Sequence, residues 1–425
     1  MSERGLEFEE TSKGIYHANI IGPVTDVHMH PRIFDPRFYR REETPNGKAG
    51  IHMYSQAALR AGFFRGLAMP NESLRIYSPD EPDQTELVPY PLTKPDRILA
   101  AANVIIQRSL MKTGLIAGVD REIIGLGLDN KRPEFTTQEV EKVFSSRYIQ
   151  ELAAALKIYG GETTGGYMIP METIIPVAEI WHKHNEGKPV YLHLEDGAVG
   201  IILEQWPAHI PAHIAHVSSR QEFEPIIEAI DSGKNVTCEA TPHHLFLTEA
   251  TREAIGAYGC MKPTLKSAED VKFLWDNLKY IHIFASDCAP HRAIDKVGID
   301  GQGIDNPAFG VTNHDVFLPL FFQTIRDGRL TEQELYERIV TNPAQRFNLP
   351  KDRSRSRFEL KQITAEEAIK STEYGWNPFA MSPETPTMIG KIISQLSEVG
   401  RLNIVLVGSE PIITARPGYQ NLIRF

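Results

Sequence analysis

Two imidazoles and a guanidinium lie within one short stretch, Asp26-Val27-His28-Met29-His30-Pro31-Arg32. The apolar run before it, Ile20-Ile21-Gly22-Pro23-Val24, reads as a short buried strand. Side chains two apart on a strand point to the same side. His28 and His30 therefore aim together from the strand's end. Neutral imidazole is a good ligand for zinc and similar ions, so the pair makes half a metal site. Two ordinary polar histidines at a strand end are the plain alternative, and the rest of the chain must decide between them.

Four further residues bear on that choice. Lys157 comes late in Ala155-Leu156-Lys157-Ile158-Tyr159, and His193 closes Pro189-Val190-Tyr191-Leu192-His193. His216 follows His213-Ile214-Ala215, and Asp287 follows Ile283-Phe284-Ala285-Ser286. Singly, each has a plain role. His193 or His216 alone reads equally as a hydrogen-bonded core histidine, and Asp287 alone as a helix N-cap. His213, His243, His244 and His282 read as structural or supporting groups. Lys157 is the odd member: an ammonium cannot bind a metal and is costly to bury. It fits a metal cluster only if its charge is removed or reversed.

All six residues fall at the C-terminal ends of candidate strands. Short apolar runs near 20–28, 62–69, 122–128, 153–159, 188–194, 212–217, 235–241 and 281–286 alternate with helix-like stretches such as 172–186 and 220–232. Alternation of this kind means a parallel sheet with crossovers. Eight strands point to a closed (β/α)8 barrel, with a doubly wound open sheet as the rival. In a barrel the C-terminal strand ends meet at one mouth, where active sites of this architecture sit. Two regions break the rhythm. Residues 72–121 form a proline-rich excursion ending in a helical pattern, and the text turns basic and irregular after about residue 350.

Composition narrows the function classes. Lys plus Arg is 45 against 55 Asp plus Glu, a formal charge of −10, which argues against a nucleic-acid binder. Cys238, Cys260 and Cys288 show no CxxC spacing and fit a reducing cytoplasm better than a disulfide framework. The charged N-terminus lacks the apolar core of a signal peptide, and no apolar run is long enough to span a membrane.

In order along the chain, Asp-Val-His-Met-His-Pro-Arg (26–32), Met69-Pro70-Asn71, Leu156-Lys157-Ile158-Tyr159, the His193 and His216 segments, Val236-Thr237-Cys238-Glu239-Ala240-Thr241-Pro242-His243-His244-Leu245 and Asp287-Cys288-Ala289-Pro290-His291 resemble the amidohydrolase superfamily and, within it, dihydroorotase. The resemblance covers roughly residues 20–350. It implies an α/β fold, a TIM-type barrel of the metallo-dependent hydrolase kind over 1–350, with 351–425 as a C-terminal extension packing on it. It implies two zinc ions per subunit: His28, His30 and Asp287 on one, His193 and His216 on the other, and a carboxylated Lys157 bridging both. It implies Asp287 as the proton-transferring residue in the reversible cyclisation of N-carbamoyl-L-aspartate to L-dihydroorotate. Arg32, Asn71 and His291 would hold the substrate carboxylate, since a guanidinium fork pairs such a group bidentately. Thr163 and Thr164, in Gly160-Gly161-Glu162-Thr163-Thr164-Gly165-Gly166, resemble a loop that closes over substrate.

The text departs from the family in places. Met261-Lys262-Pro263-Thr264-Leu265-Lys266 stands where an Asn-Pro-Pro-Leu-Arg-like stretch is usual, which leaves the role of Lys262 open. The excursion is long for the family. About 25 residues precede the first motif, too few for the full β-sandwich that many relatives build from both chain ends. Two other readings stand beside dihydroorotase: another cyclic amidohydrolase of the hydantoinase or dihydropyrimidinase type, and a catalytically silent scaffold for aspartate transcarbamoylase. The same resemblance allows a homo-oligomer or association with aspartate transcarbamoylase.

Overall fold

A short apolar strand flanked by amphipathic helices has two faces to bury, one under its helices and one toward the strands across an axis. The computed structural model realises this arrangement and describes residues 5–34, 50–77, 85–126, 136–161, 167–291, 293–298, 305, 307–364, 378–379, 388–396, 402–407 and 410–425. In chain order the strands are β1 (Leu6–Ser12), β2 (Ile15–Ile21), β3 (Thr25–Met29), β4 (Arg65–Ala68), β5 (Ser73–Tyr77), β6 (Thr85–Pro89), β7 (Lys112–Gly118) and β8 (Ala153–Tyr159). They continue with β9 (Val190–His193), β10 (Ala212–Ile214), β11 (Val236–Ala240), β12 (Ile283–Phe284), β13 (Arg355–Gln362), β14 (Met388–Leu396), β15 (Leu402–Val407) and β16 (Glu410–Ile413).

One sheet holds eight strands in the order β3-β4-β7-β8-β9-β10-β11-β12, and its neighbours pair in parallel. Its two edges meet at a parallel bridge between Met29 and Cys288. The His30 N–H donates to the Cys288 carbonyl at 3.1 Å. The sheet is thus a (β/α)8 barrel. The expected helix at 220–232 is Arg220–Asp231, started by a reciprocal capping box between Ser219 and Glu222.

The third barrel strand is not where the sequence reading puts it. It spans Lys112–Gly118, and of the expected 122–128 the described residues, 122–126, are not a strand: Ile123 and Ile124 lie buried in a turn in which the Asp120 carboxylate accepts the Ile123 N–H at 3.0 Å. The strand escapes notice because it begins three residues after the helix Pro95–Arg108 and carries two glycines. Those glycines answer to packing. A Cβ on Gly114 would lie 2.7 Å from Leu67, and one on Gly118 2.9 Å from Pro70. The excursion therefore ends before residue 112 and consists of the antiparallel pair β5–β6 and that helix.

Both chain ends build a second sheet, in the order β1-β2-β13-β14-β15-β16, antiparallel throughout. The short N-terminal stretch supplies two of its six strands, so the sheet draws on both sides of residue 350. Phe8 of β1 stacks on Phe322, on the barrel helix His314–Arg326, with ring centroids 5.1 Å apart. Among the described residues no helix is long and apolar enough to cross a membrane.

The barrel seam carries a buried carboxylate. Asp26 on β3 accepts the Ser286 N–H at 3.0 Å and the His28 N–H at 3.1 Å on one oxygen. Its other oxygen accepts the Ser286 hydroxyl at 2.5 Å. Asp26→Ala would leave these buried donors unpaired, at about 1–3 kcal/mol each. We expect a loss on the order of 3–5 kcal/mol in urea unfolding, and a loss below about 1 kcal/mol would show that the seam does not depend on this residue.

Candidate functional site

The six chemistry-bearing residues converge at the barrel mouth. Asp287 Oδ1 lies 3.3 Å from His28 Nε2 and 3.0 Å from His30 Nε2. His193 Nδ1 lies 2.7 Å from His216 Nε2, and the His28 and His216 rings stack with centroids 5.3 Å apart. Below them the Lys157 ammonium is fully buried, 4.1 Å from the centre of the Tyr191 ring, with no hydrogen-bond partner for Nζ. Three of the mouth residues have left-handed backbone, Arg32 (φ 51°), His216 (φ 32°) and Asp287 (φ 47°). Non-glycine residues rarely adopt it, and such strain gathers where side chains must be aimed. Here it turns each chain segment sharply off its strand and into the mouth.

Burial governs the charges. It holds His28, His30 and His216 well below the ordinary histidine range, helped by Lys157 beside His28, Arg32 beside His30 and His193 beside His216. These imidazoles are therefore neutral and offer lone pairs. Burial also pushes the Lys157 amine down, against the pull of Glu239 and Asp287, and pushes the Asp287 carboxyl up, against Lys157. His28, His216 and Asp287 each offer a ligand atom within 4.8 Å of the others. With Lys157 Nζ unpartnered at the same place, this donor set suits a divalent cation, which takes neutral imidazole and carboxylate.

Glu239 on β11 organises the set from behind, and the sequence reading gave it no role. One of its oxygens lies 2.5 Å from His28 Nδ1 and accepts the His216 N–H at 3.3 Å. The other accepts the Tyr191 hydroxyl and faces His213 Nε2 at 3.3 Å. This leaves His28 Nε2 turned toward Asp287. Glu195 stands in the same relation to His193, 3.2 Å from its Nε2. The available signal for Glu239 was a lone acid in an otherwise buried strand, a position tolerable only with several partners.

The substrate-facing residues are placed unevenly. Arg32, Asn71 and Lys262 line the same open cavity of about 430 Å³ as His28, His30, His193, His216 and Asp287. Arg32 donates to the Asn71 carbonyl at 3.2 Å, and Asn71 Oδ1 lies 2.9 Å from His30 Nδ1. Lys262, left open by the sequence, sits at the mouth with its ammonium 5.3 Å from the Phe309 ring centre. Tyr159, which sequence reasoning passed over, also lines the cavity. His291 is buried beside Gly310, which lines the cavity. Thr163 and Thr164 lie outside the described residues.

Comparison with known proteins bears on what this arrangement is. No protein-family model matches the chain. It is 34% identical over 235 residues to the "Multifunctional protein CAD" of Squalus acanthias, an alignment covering 54% of this chain and 10% of that protein. The chain thus spans about a tenth of the length of that multifunctional relative. It is 24% identical over 434 residues to a dihydroorotase of Halalkalibacterium halodurans, covering 94% of each. The chain is thus similar to dihydroorotases, at 24% identity over nearly its whole length. Its fold is also that of an L-hydantoinase (dihydropyrimidinase) from Arthrobacter aurescens, with a TM-score of 0.69 at 17% identity, over 94% of this chain and 88% of that one.

Because Glu239 holds His28 in one orientation, its loss should be felt by anything the imidazoles bind. Removing such a supporting carboxylate typically costs about 10–100-fold in metal affinity. Glu239→Gln is expected to weaken zinc retention by about that factor in competition with a chromogenic chelator. Unchanged retention would mean that the imidazole is aimed by packing alone.

Proposed function

We propose that this protein is a dihydroorotase, interconverting N-carbamoyl-L-aspartate and L-dihydroorotate in pyrimidine synthesis with two zinc ions. One observation carries the reading: a guanidinium, Arg32, shares one cavity with the imidazole–carboxylate cluster. A ring bearing a carboxylate uses both, whereas a neutral hydantoin has no use for the first. His28, His30 and Asp287 would hold one ion, His193 and His216 the other, and carboxylated Lys157 would join them. The unpartnered, buried Lys157 amine supports that modification, since its neutral form adds carbon dioxide with loss of a proton and becomes an anionic oxygen ligand. Bound zinc supplies Lewis acidity and makes water a competent nucleophile near neutral pH.

The chain's own residues divide the rest. Arg32, with Asn71 and His291, orients the substrate through its carboxylate, and Lys262 adds a second cation at the mouth. Asp287 accepts the proton of the attacking water and delivers it to the departing ring nitrogen, a base that becomes an acid. In the cyclisation direction the same steps run backwards. The three free cysteines support a reducing cytoplasm, and the match to a multifunctional protein supports association with other pyrimidine enzymes.

Metal analysis of the purified protein, with turnover of dihydroorotate and of a neutral hydantoin, tests the reading. Two zinc ions and a strong preference for dihydroorotate are expected, and preference for the hydantoin would replace it with the hydantoinase reading. Lys157→Ala should lose metal and activity together, with partial recovery in short carboxylic acids. Full metal occupancy in that variant would remove Lys157 from the ligand set.

Arg32→Met should keep its metal. Hydrogen bonds to charged groups contribute roughly 1.5–3 kcal/mol each, so losing a bidentate pair should lower kcat/KM for dihydroorotate on the order of a hundredfold. Arg32→Lys should recover only part, since an ammonium keeps the charge but not the fork. Neutral cyclic amides should be insensitive to either change. Wild-type efficiency of Arg32→Met on dihydroorotate would discard the carboxylate clamp.

A further inference from the structure

His243 is a fully buried histidine that the mechanism above does not use. It follows β11 in the short helix Pro242–Phe246 and stands behind Asp287, with its Nε2 4.0 Å from Asp287 Oδ2. The Asn313 side chain settles which of its nitrogens carries the proton. Asn313 Nδ2 donates to the Ser286 carbonyl at 2.6 Å, so the amide cannot be turned without setting two oxygens against each other. The same Nδ2 lies 3.3 Å from His243 Nδ1. An amide nitrogen only donates, so His243 Nδ1 must be the acceptor. The ring is fully buried against His244, and an accepting Nδ1 carries no proton. Its single proton therefore sits on Nε2, which has no hydrogen-bond partner of its own and faces Asp287 Oδ2.

The two oxygens of Asp287 are thereby made unequal. Oδ1 faces His28 and His30, while Oδ2 faces an N–H. We propose that His243 is a positioning residue for Asp287, its Nε2–H aimed by Asn313 at Oδ2, so that the carboxylate is held in the one rotation that suits proton transfer. The inference rests on the proposed role of Asp287 as the proton carrier. At 4.0 Å the contact is longer than a hydrogen bond, and catalytic hydrogen bonds commonly tighten only when substrate is bound. Carboxylates and imidazoles at such sites are regularly fixed by an outer partner of this kind.

The test compares His243→Leu, which removes the donor, with His243→Gln, whose amide nitrogen can stand near the Nε2 position. Both are assayed as full-length zinc-loaded enzyme on dihydroorotate and on a neutral hydantoin. With whichever ring the wild type opens, His243→Leu should lower kcat about tenfold or more while KM and bound zinc stay within about twofold. His243→Gln should remain within about threefold of wild type. Equal loss in both variants, or none in His243→Leu, overturns the proposal. A wild type that opens only the hydantoin overturns the substrate assignment instead, and the comparison of variants proceeds on that ring. Nitrogen-15 spectra of the labelled histidines, with His243→Gln assigning the resonance, need no turnover: His243 should appear as the Nε2–H tautomer, and an Nδ1–H tautomer overturns the proposal whatever the kinetics.

Discussion

The closure of the barrel at Asp26 is the interaction on which the rest depends. His28 and His30 leave one edge of the eight-stranded sheet, and Asp287 leaves the other. They can meet only if β3 and β12 are joined, and the regular ladder between those strands is reduced to a bridge at Met29 and Cys288. Asp26 supplies what the ladder lacks, taking Ser286 N–H and hydroxyl on one side of the seam and the His28 N–H on the other. Tyr54 adds a hydroxyl to the Cys288 carbonyl at 3.0 Å. A carboxylate clamped in this way costs little once buried, because its lone pairs are nearly all occupied.

A second buried carboxylate, Glu239, sets the orientation of the cluster. It bonds to His28, Tyr191, His213 and the backbone of His216 at once. Since imidazole has two nitrogens, fixing one decides what the other can do. Glu195 does the same for His193, and Asn313 for His243. His28 and His193 at the mouth are thus each held through one ring nitrogen by a carboxylate, which suits a preformed ligand set.

The second sheet explains why the barrel's first strand is so well anchored. β2 runs into β3 across only a few residues and pairs with β13 over its whole length. Gly62, with φ +98°, lets the chain turn where a Cβ would lie 2.4 Å from the Phe358 ring of β13. Aromatic contacts of Phe8 and Phe358 with Phe322 then lock the sheet to the barrel helix that follows the seam.

By itself the sequence determined the elements with local signals: strand-like runs ending near His28, Lys157, His193, His216 and Asp287, and the helix over 220–232. Periodicity and residue type are local properties, so they are legible before folding. Only the tertiary structure decided the rest. β7 was hidden because its two glycines answer to Leu67 and Pro70 on neighbouring segments, and no local pattern reports a neighbour. Glu239 was unassigned because its partners come from β3, β9 and β10, up to 211 residues away. Lys262 and Tyr159 became part of the mouth for the same reason. Which side chains share a cavity is set by strand register and seam closure, and these are fixed only when segments far apart in the chain pack together.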